Sequence, residues 1–112
     1  MNNSVILDEK AQSIIKYYLP NPGVAEKLAD FYSVFCDPSR IRLLSALTVT
    51  EMCVTDLASI VDMNQSTVSH QLKLLRSLGV VKQRRDGKII YYSAIENYVK
   101  DVIAFGRNFI GI

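Results

Sequence analysis

Residues 64–92 read NQSTVSHQLKLLRSLGVVKQRRDGKIIYY, and this stretch decides the fold. Its first half has apolar residues at helical spacing, beginning after Asn64, which can cap a helix, and ending at Gly79. In its second half, apolar and polar residues alternate on both sides of Asp86-Gly87, a pair that strongly favours a hairpin turn. The stretch therefore predicts one helix followed directly by a β-hairpin.

A shorter helix is predicted immediately before this stretch, with apolar residues at Val54, Leu57, Ile60 and Val61, and an end around residues 62–63. Two short helices about three residues apart are the arrangement of a helix-turn-helix, whose second helix is offered to DNA. We therefore predict a helix-turn-helix over about residues 54–78 and a wing over about residues 81–92.

The flanking sequence is also predicted to be helical. Residues 8–35 form two amphipathic helices separated around Pro20, and a third helix begins at Asp37-Pro38, where the aspartate caps and the proline presets φ. From about Glu96 the chain returns to helix, with apolar residues on two stripes that both require burial. The predicted fold is mainly α with one β-hairpin, a winged helix-turn-helix of five to six helices in a single domain over 1–112.

Charge is distributed unevenly along the 112 residues, although the net charge is only +2. Residues 64–92 hold six lysines and arginines against one aspartate, a net charge of +5, whereas the remaining seven basic and ten acidic residues give −3. A basic segment on an otherwise acidic body is typical of a nucleic-acid-binding protein. The alternative is a charge run that only solvates one face.

Candidate DNA contacts follow from the helical period, because small polar and basic side chains lie away from the buried Val68. Hydroxyl and imidazole groups on such a face can reach base edges in the major groove, while wing cations reach backbone phosphates. The predicted DNA-contacting residues are Gln65, Ser66, Thr67, Ser69, His70 and Lys73 on the helix and Arg84, Arg85 and Lys88 on the wing. The arginine pair alternatively serves only to solubilise an edge strand. Alternation places one tyrosine of Tyr91-Tyr92 inward.

Several motifs together resemble the ArsR/SmtB family of winged-helix repressors. The matching segments are FCDPSRIRLL at 35–44, EMCVTDL at 51–57, QSTVSHQLKLL at 65–75, GVV at 79–81, DGK at 86–88 and the tyrosine pair at 91–92. The resemblance implies a homodimer that binds double-stranded operator DNA with dyad symmetry and is released by a metal or another inducer. It further implies that the first and last helices, at about 8–35 and 97–110, form the dimer interface.

The family's inducer sites are only partly present. In arsenic- and cadmium-sensing members, the segment resembling residues 51–58 carries two or three cysteines, of which this chain retains only Cys53. Zinc-sensing members offer Asp, His, His and Glu on the last helix, where this chain has Glu96, Tyr98, Phe109 and Ile112. That zinc site is therefore predicted to be absent, because one carboxylate without imidazoles does not suit zinc.

The two cysteines are the remaining candidates for an inducer site. Cys53, assisted by Cys36, is predicted to sense a thiophilic metal ion or an oxidant, whereas the alternative is that each thiol is a small structural side chain and the inducer site is lost. No cofactor is certain. His70, the only histidine, has no second ligand at metal-site spacing, which favours groove contact.

Other functional classes receive little support. The sequence has no phosphate-cradling glycine loop and no acid/base or nucleophile constellation, so an enzyme is not expected. A winged helix used only for protein contact, without sequence-specific DNA binding, is the alternative, and the +5 segment argues against it. With 49% hydrophobic residues, no apolar run of membrane-spanning length and no secretory signal at MNNSVILDEK, the chain is expected to be cytoplasmic and to have no membrane partner.

Overall fold

The computed structural model describes residues 5–112 apart from the side chain of Glu96, and it divides the chain after Asp30 into two compact units. Six helices and one two-stranded antiparallel sheet confirm the predicted fold class. The elements are α1 (Glu9–Tyr18), α2 (Pro22–Ser33), α3 (Pro38–Val49), α4 (Val54–Val61), α5 (Gln65–Ser77), β1 (Val81–Asp86), β2 (Ile89–Ala94) and α6 (Glu96–Ile110).

The first two helices begin at side-chain caps. A carboxylate oxygen of Asp8 accepts a hydrogen bond of 2.7 Å from the Ala11 amide. The side-chain oxygen of Asn21 accepts one of 2.9 Å from the Val24 amide. Such caps satisfy amides that the first helical turn leaves unpaired. Neither α1 nor α2 contains a buried residue, although both carry an apolar stripe.

The end of α2 differs from the predicted one, because the helix stops at Ser33 and Phe35 lies beyond it. The amides of residues 34–36 donate to carbonyls three positions back, as in a tight turn, and Asp37 is extended because a residue before proline disfavours helical geometry. The turn buries Val34 and leaves Phe35 half-buried. The core residue of this segment is therefore Val34, which immediately precedes Phe35.

Helices α3, α4 and α5 surround the core. Asp37 caps α3 as predicted, accepting from the Arg40 amide at 3.0 Å, and the guanidinium of Arg42 donates to the Val61 carbonyl at the end of α4 at 2.9 Å. The core consists of Val34, Leu43, Leu44, Leu47, Met52, Leu57, Ala58, Val61, Val68, Leu72, Leu75, Val80, Val81, Ala94 and Val99. These residues come from every element of the second unit, so its helices and hairpin share one core.

The turn between α4 and α5 spans residues 62–64, as predicted for a helix-turn-helix. Asp62 adopts a left-handed conformation, with φ of 55°, and its amide donates to carbonyls in the last turn of α4. Asn64 then caps α5, because its side chain accepts a hydrogen bond of 3.0 Å from the Thr67 amide. The turn thus ends one helix and starts the next within three residues.

The wing is a hairpin of β1 and β2 in which Val81 pairs with Ala94 and Asp86 with Ile89. Its two-residue loop is therefore Gly87-Lys88, one position later than the predicted Asp86-Gly87. The shift follows from backbone geometry, since only the first loop residue, Gly87, has a positive φ, as in a type II′ turn. The hairpin also extends two residues beyond the predicted end at 92.

Tyr92 is the inward tyrosine, half-buried against the core. Its backbone also forms an antiparallel bridge with Met52, which lies between α3 and α4. The amide of each residue donates to the carbonyl of the other, at 2.8 and 3.0 Å. The segment before α4 therefore runs along the free edge of β2.

Helix α6 packs on α3 and has two different faces. Val99 is 1% exposed and Ile103 packs against the core, whereas Tyr98, Phe105 and Phe109 are exposed, the last at 86%. The predicted burial of both stripes is therefore not met within this chain, which covers only the face that carries Val99 and Ile103. Among residues 5–112, no helix combines the length and apolar character that crossing a bilayer requires.

Candidate nucleic-acid interface

The outer face of α5 is polar and open to solvent. Its inner face is fixed by Val68, Leu72 and Leu75, each with no exposed surface. The six helix residues predicted to contact DNA all lie on the exposed side: Gln65, Ser66, Thr67, Ser69, His70 and Lys73. The structure thus leaves all six side chains accessible, with Ser66, His70 and Lys73 opposite the buried stripe, as the helical period predicted.

A polar contact holds the middle of α5 against α3. The guanidinium Nε of Arg40 donates to the side-chain oxygen of Gln71 at 3.2 Å, and Gln71 follows His70 directly. Because Gln71 is half-buried and points toward α3, it is not part of the outer face. Sequence reasoning did not identify this contact, since a pair separated by 31 positions leaves no local pattern.

Two of the three predicted wing cations are free of ion pairs within residues 5–112. Arg85 lies on β1 and Lys88 in the hairpin loop, and both are exposed. Arg85 pairs with Ile90 across the hairpin, and its side chain lies on the strand face opposite to that of Arg84. These two cations therefore extend the positive charge beyond α5.

Arg84 is different, because it is bound to Glu51. Its Nε donates to both carboxylate oxygens of Glu51, at 2.9 and 2.8 Å, and Nη2 forms a further contact with Oε1. The hydrogen bond from Arg84 lowers the pKa of the Glu51 carboxyl, and the same bond raises the pKa of the Arg84 guanidinium. The guanidinium carbon also lies 4.6 Å from the centre of the Tyr91 ring.

Sequence reasoning assigned no role to Glu51. The observed register pairs Arg84 with Tyr91, but a turn at Asp86-Gly87 would have placed Ile89 opposite Arg84, so the sequence did not indicate this contact either. The position of Glu51 beside them depends on the bridge between Met52 and Tyr92, which no local pattern predicts.

The two cysteines lie in different surroundings. Cys36 is exposed, and its thiol donates to the Tyr32 carbonyl at 3.4 Å. Cys53 is half-buried at the N-cap of α4, where its side chain makes no capping bond. It lines an open cavity of about 470 Å³ together with Val54, Thr55, Lys88, Ile89, Ile90 and Tyr92. Among the side chains of residues 5–112, that of Glu96 excepted, no three histidines, cysteines or carboxylates are grouped to hold a metal ion.

Comparisons with known proteins agree with this geometry. Residues 37–83 match the family profile described as bacterial regulatory protein, arsR family. The chain is 49% identical over 78 residues to a transcriptional repressor SmtB homolog of Synechocystis, covering 70% of this chain and 59% of that protein. It is 35% identical to the cadmium resistance transcriptional regulatory protein CadC of Listeria innocua, covering 73% of this chain and 70% of that protein.

A solved structure is similar as well. The crystal structure of NolR from Sinorhizobium fredii superimposes with a TM-score of 0.74 at 32% sequence identity, covering 83% of this chain and 96% of that one. Against the Synechocystis repressor, however, the chain accounts for only about three fifths of the relative's length.

Proposed function

We propose, since this chain belongs to the arsR family of bacterial regulatory proteins, that it represses transcription by binding double-stranded operator DNA as a homodimer. The family predicted from the sequence is thereby confirmed. The observation that carries the proposal is the exposed polar face of α5 beside a cationic wing. A helix of this kind fits the major groove, and the wing lies where phosphates flank it.

The helix and the wing have separate tasks in this proposal. Exposed side chains of α5 face base edges or nearby phosphates, and they are Gln65, Ser66, Thr67, Ser69, His70 and Lys73. Arg85 and Lys88 neutralise backbone phosphates, a contribution that does not depend on base sequence. Arg84 stays a predicted phosphate contact from the sequence, but its guanidinium is held by Glu51 in the free protein.

Dimerisation is proposed through the helices at about 8–35 and 97–110. Support comes from large apolar side chains that the single chain leaves exposed on α6, such as Phe105 at 76% and Phe109 at 86%, and from the absence of any buried residue in α1 and α2. Clusters of exposed apolar residues mark interaction surfaces. Two recognition helices related by a two-fold axis would read a palindromic operator.

A selection experiment tests DNA recognition directly. Duplexes that the protein retains from a random-sequence pool should converge on a palindrome, and binding to that sequence should weaken steeply as salt rises. A protein-interaction module without DNA specificity would yield no consensus and no salt-dependent binding. Sedimentation of the protein alone, at the concentrations used for selection, checks the dimer separately.

For the inducer we propose a thiol-reactive agent that acts at Cys53, at the junction between α4 and the wing. The relative from Listeria innocua is named for cadmium resistance, which suggests a thiophilic ion. The groups that share the cavity with Cys53 include an ammonium and a hydroxyl, which are poor ligands for a soft ion, so they favour an oxidant. Cys36, being exposed, is the candidate for an assisting thiol.

The inducer proposal is tested with wild type, Cys53→Ser and Cys36→Ser. Release of the selected operator is measured across arsenite, cadmium, zinc, copper and peroxide series. We expect Cys53→Ser to lose the response to the effective agent and Cys36→Ser to weaken it. Identical responses of all three proteins would assign both thiols a structural role.

A further inference from the structure

We infer that Glu51 is a positioning residue for the wing, which it holds through Arg84, and that Arg84 therefore acts through wing geometry rather than as a phosphate ligand. The inference rests on the proposed operator binding for its functional consequence. Its structural part concerns the free protein and depends on contacts among residues 51, 52, 84, 91 and 92.

The geometry of the ion pair is the first observation. Both carboxylate oxygens of Glu51 accept hydrogen bonds from Arg84, which uses Nε and Nη2 as donors. Exposed ion pairs usually contribute little, but two-pronged pairs within a network are the exceptions. The ring of Tyr91, directly opposite Arg84 in the hairpin, covers the guanidinium from a third direction. Arg84 is therefore fixed on several sides.

The backbone next to the pair is the second observation. Met52 follows Glu51 directly and exchanges two hydrogen bonds with Tyr92, which follows Tyr91. Side chains alternate along extended segments, so Glu51 and Tyr91 lie on the face opposite Met52 and Tyr92. The segment before α4 thus joins the wing through main-chain hydrogen bonds at the edge of β2 and through the pair of Glu51 and Arg84 on one face of the hairpin.

This attachment links the two parts of the proposed DNA-binding surface. Glu51 lies between the end of α3 at Val49 and the start of α4 at Val54, so it belongs to the support of the helix-turn-helix. Arg84 is in the middle of β1. Their pairing sets the angle of the wing relative to α4, and through α4 relative to the outer face of α5.

Removing the charge of Glu51 changes operator affinity in opposite directions for the two possible roles of this residue. An unpaired carboxylate beside DNA repels phosphates, and its removal tightens binding. If Arg84 bound phosphate and Glu51 merely competed for it, Glu51→Gln would strengthen operator binding. If Glu51 positions the wing, the same substitution weakens binding although it removes a negative charge.

The experiment compares five proteins: wild type, Glu51→Gln, Arg84→Gln, the charge-swapped Glu51→Arg/Arg84→Glu, and the matched control Arg85→Gln. Amide hydrogen exchange of Met52 and Tyr92 is followed by NMR in the free proteins. Affinity for the operator selected from random duplex is measured over a salt series. Circular dichroism melting shows that each variant is folded.

We expect Glu51→Gln and Arg84→Gln to speed exchange of the two amides by about three- to fivefold, and to weaken operator binding by a similar factor with nearly unchanged salt slope. The charge-swapped protein should recover most of both losses. Arg85→Gln should leave the two amides unchanged and reduce the salt slope by about 0.9, as expected for loss of one phosphate contact.

Unchanged amide exchange in Glu51→Gln, tighter operator binding by that variant, or a charge-swapped protein no better than Arg84→Gln would each overturn the inference. Failure of the proposed function has a different signature, namely a wild-type protein that retains no duplex at any salt concentration. The exchange measurement still decides the role of Glu51 in that case, because it needs no DNA.

Discussion

Two regions of the chain differ in how far their apolar residues are buried. The first region runs from α3 to the wing, and the second consists of helices α1, α2 and α6. In the first region, all leucines of α3, α4 and α5 except the half-buried Leu74 are buried within one chain, several with no exposed surface. In the second, α1 and α2 bury nothing and α6 buries only one face. The chain therefore contains one complete core, and it leaves apolar side chains exposed on α1, on α2 and on one face of α6. The contrast separates the residues that stabilise the fold from those that we propose to form a dimer interface.

The largest effect is expected from Leu43→Ala, which removes a fully buried side chain from α3. Cavity formation should reduce the free energy of unfolding by about 2–5 kcal/mol. Val49→Ala, on the same helix but 83% exposed, is the control and should change it by less than about 0.5 kcal/mol. Urea denaturation at one protein concentration measures both. Equal losses would show that the core of the first region contributes no more to stability than an exposed position on the same helix.

Phe109→Glu tests the exposed apolar face of α6. Because this side chain is 86% exposed, the chain should keep its helical content but sediment as a monomer. Loss of the second half-site contact should weaken operator binding on the order of 100-fold. Lys100→Gln, on the same helix and also exposed, changes the charge by the same amount and is the control. A dimeric Phe109→Glu protein would exclude this part of α6 from the interface.

His70→Ala tests the first region alone, because it should change DNA recognition and leave the proposed dimer intact. If the imidazole contacts a base edge, discrimination between operator and random duplex should fall by about 1–3 kcal/mol. The dimer should be unaffected, because His70 lies on the outer face of α5. Competition binding measures the discrimination. An equal loss on both DNAs would show instead that His70 contacts phosphate.

A smaller effect is expected at the boundary where the compact region begins. Asp37→Ala removes the cap that binds the Arg40 amide and should lower stability by about 1 kcal/mol. Asp37→Asn keeps a capping oxygen and should retain most of that stability. Thermal melting of the two variants separates the cap from the aspartate's charge, and equal melting temperatures would assign the cap no role.

The smallest effect concerns the acidic limb of the pH range. The hydrogen bond from Arg84 lowers the pKa of Glu51, so the pair's stabilisation is complete above the ordinary carboxyl pKa and is lost as pH falls through the lowered value. In Arg84→Gln the pKa of Glu51 should rise. A carboxyl-carbon NMR titration measures the pKa of Glu51 in both proteins. An unchanged pKa would show that Glu51 and Arg84 do not pair in solution.

The sequence predicted the helices and the outer face of α5 because local rules control them. Capping by Asp37 and Asn64 and the burial of one stripe on α5 follow from periodicity and side-chain chemistry alone. The turn at Gly87-Lys88 was misplaced by one residue, since it depends on which loop position takes a positive φ. Glu51 received no role, because its partner is 33 positions away and is reached only through tertiary structure.

The bridge between Met52 and Tyr92 has a consequence for the order of folding. It joins residues 40 positions apart, whereas the contacts that form α4 and α5 are local. Because closing a long loop loses chain entropy before any contact compensates for it, non-local pairing is slow. The helices α4 and α5 are thus expected to form before the segment that precedes α4 pairs with the hairpin. Native pairing of the wing with this segment would therefore follow formation of the helix-turn-helix.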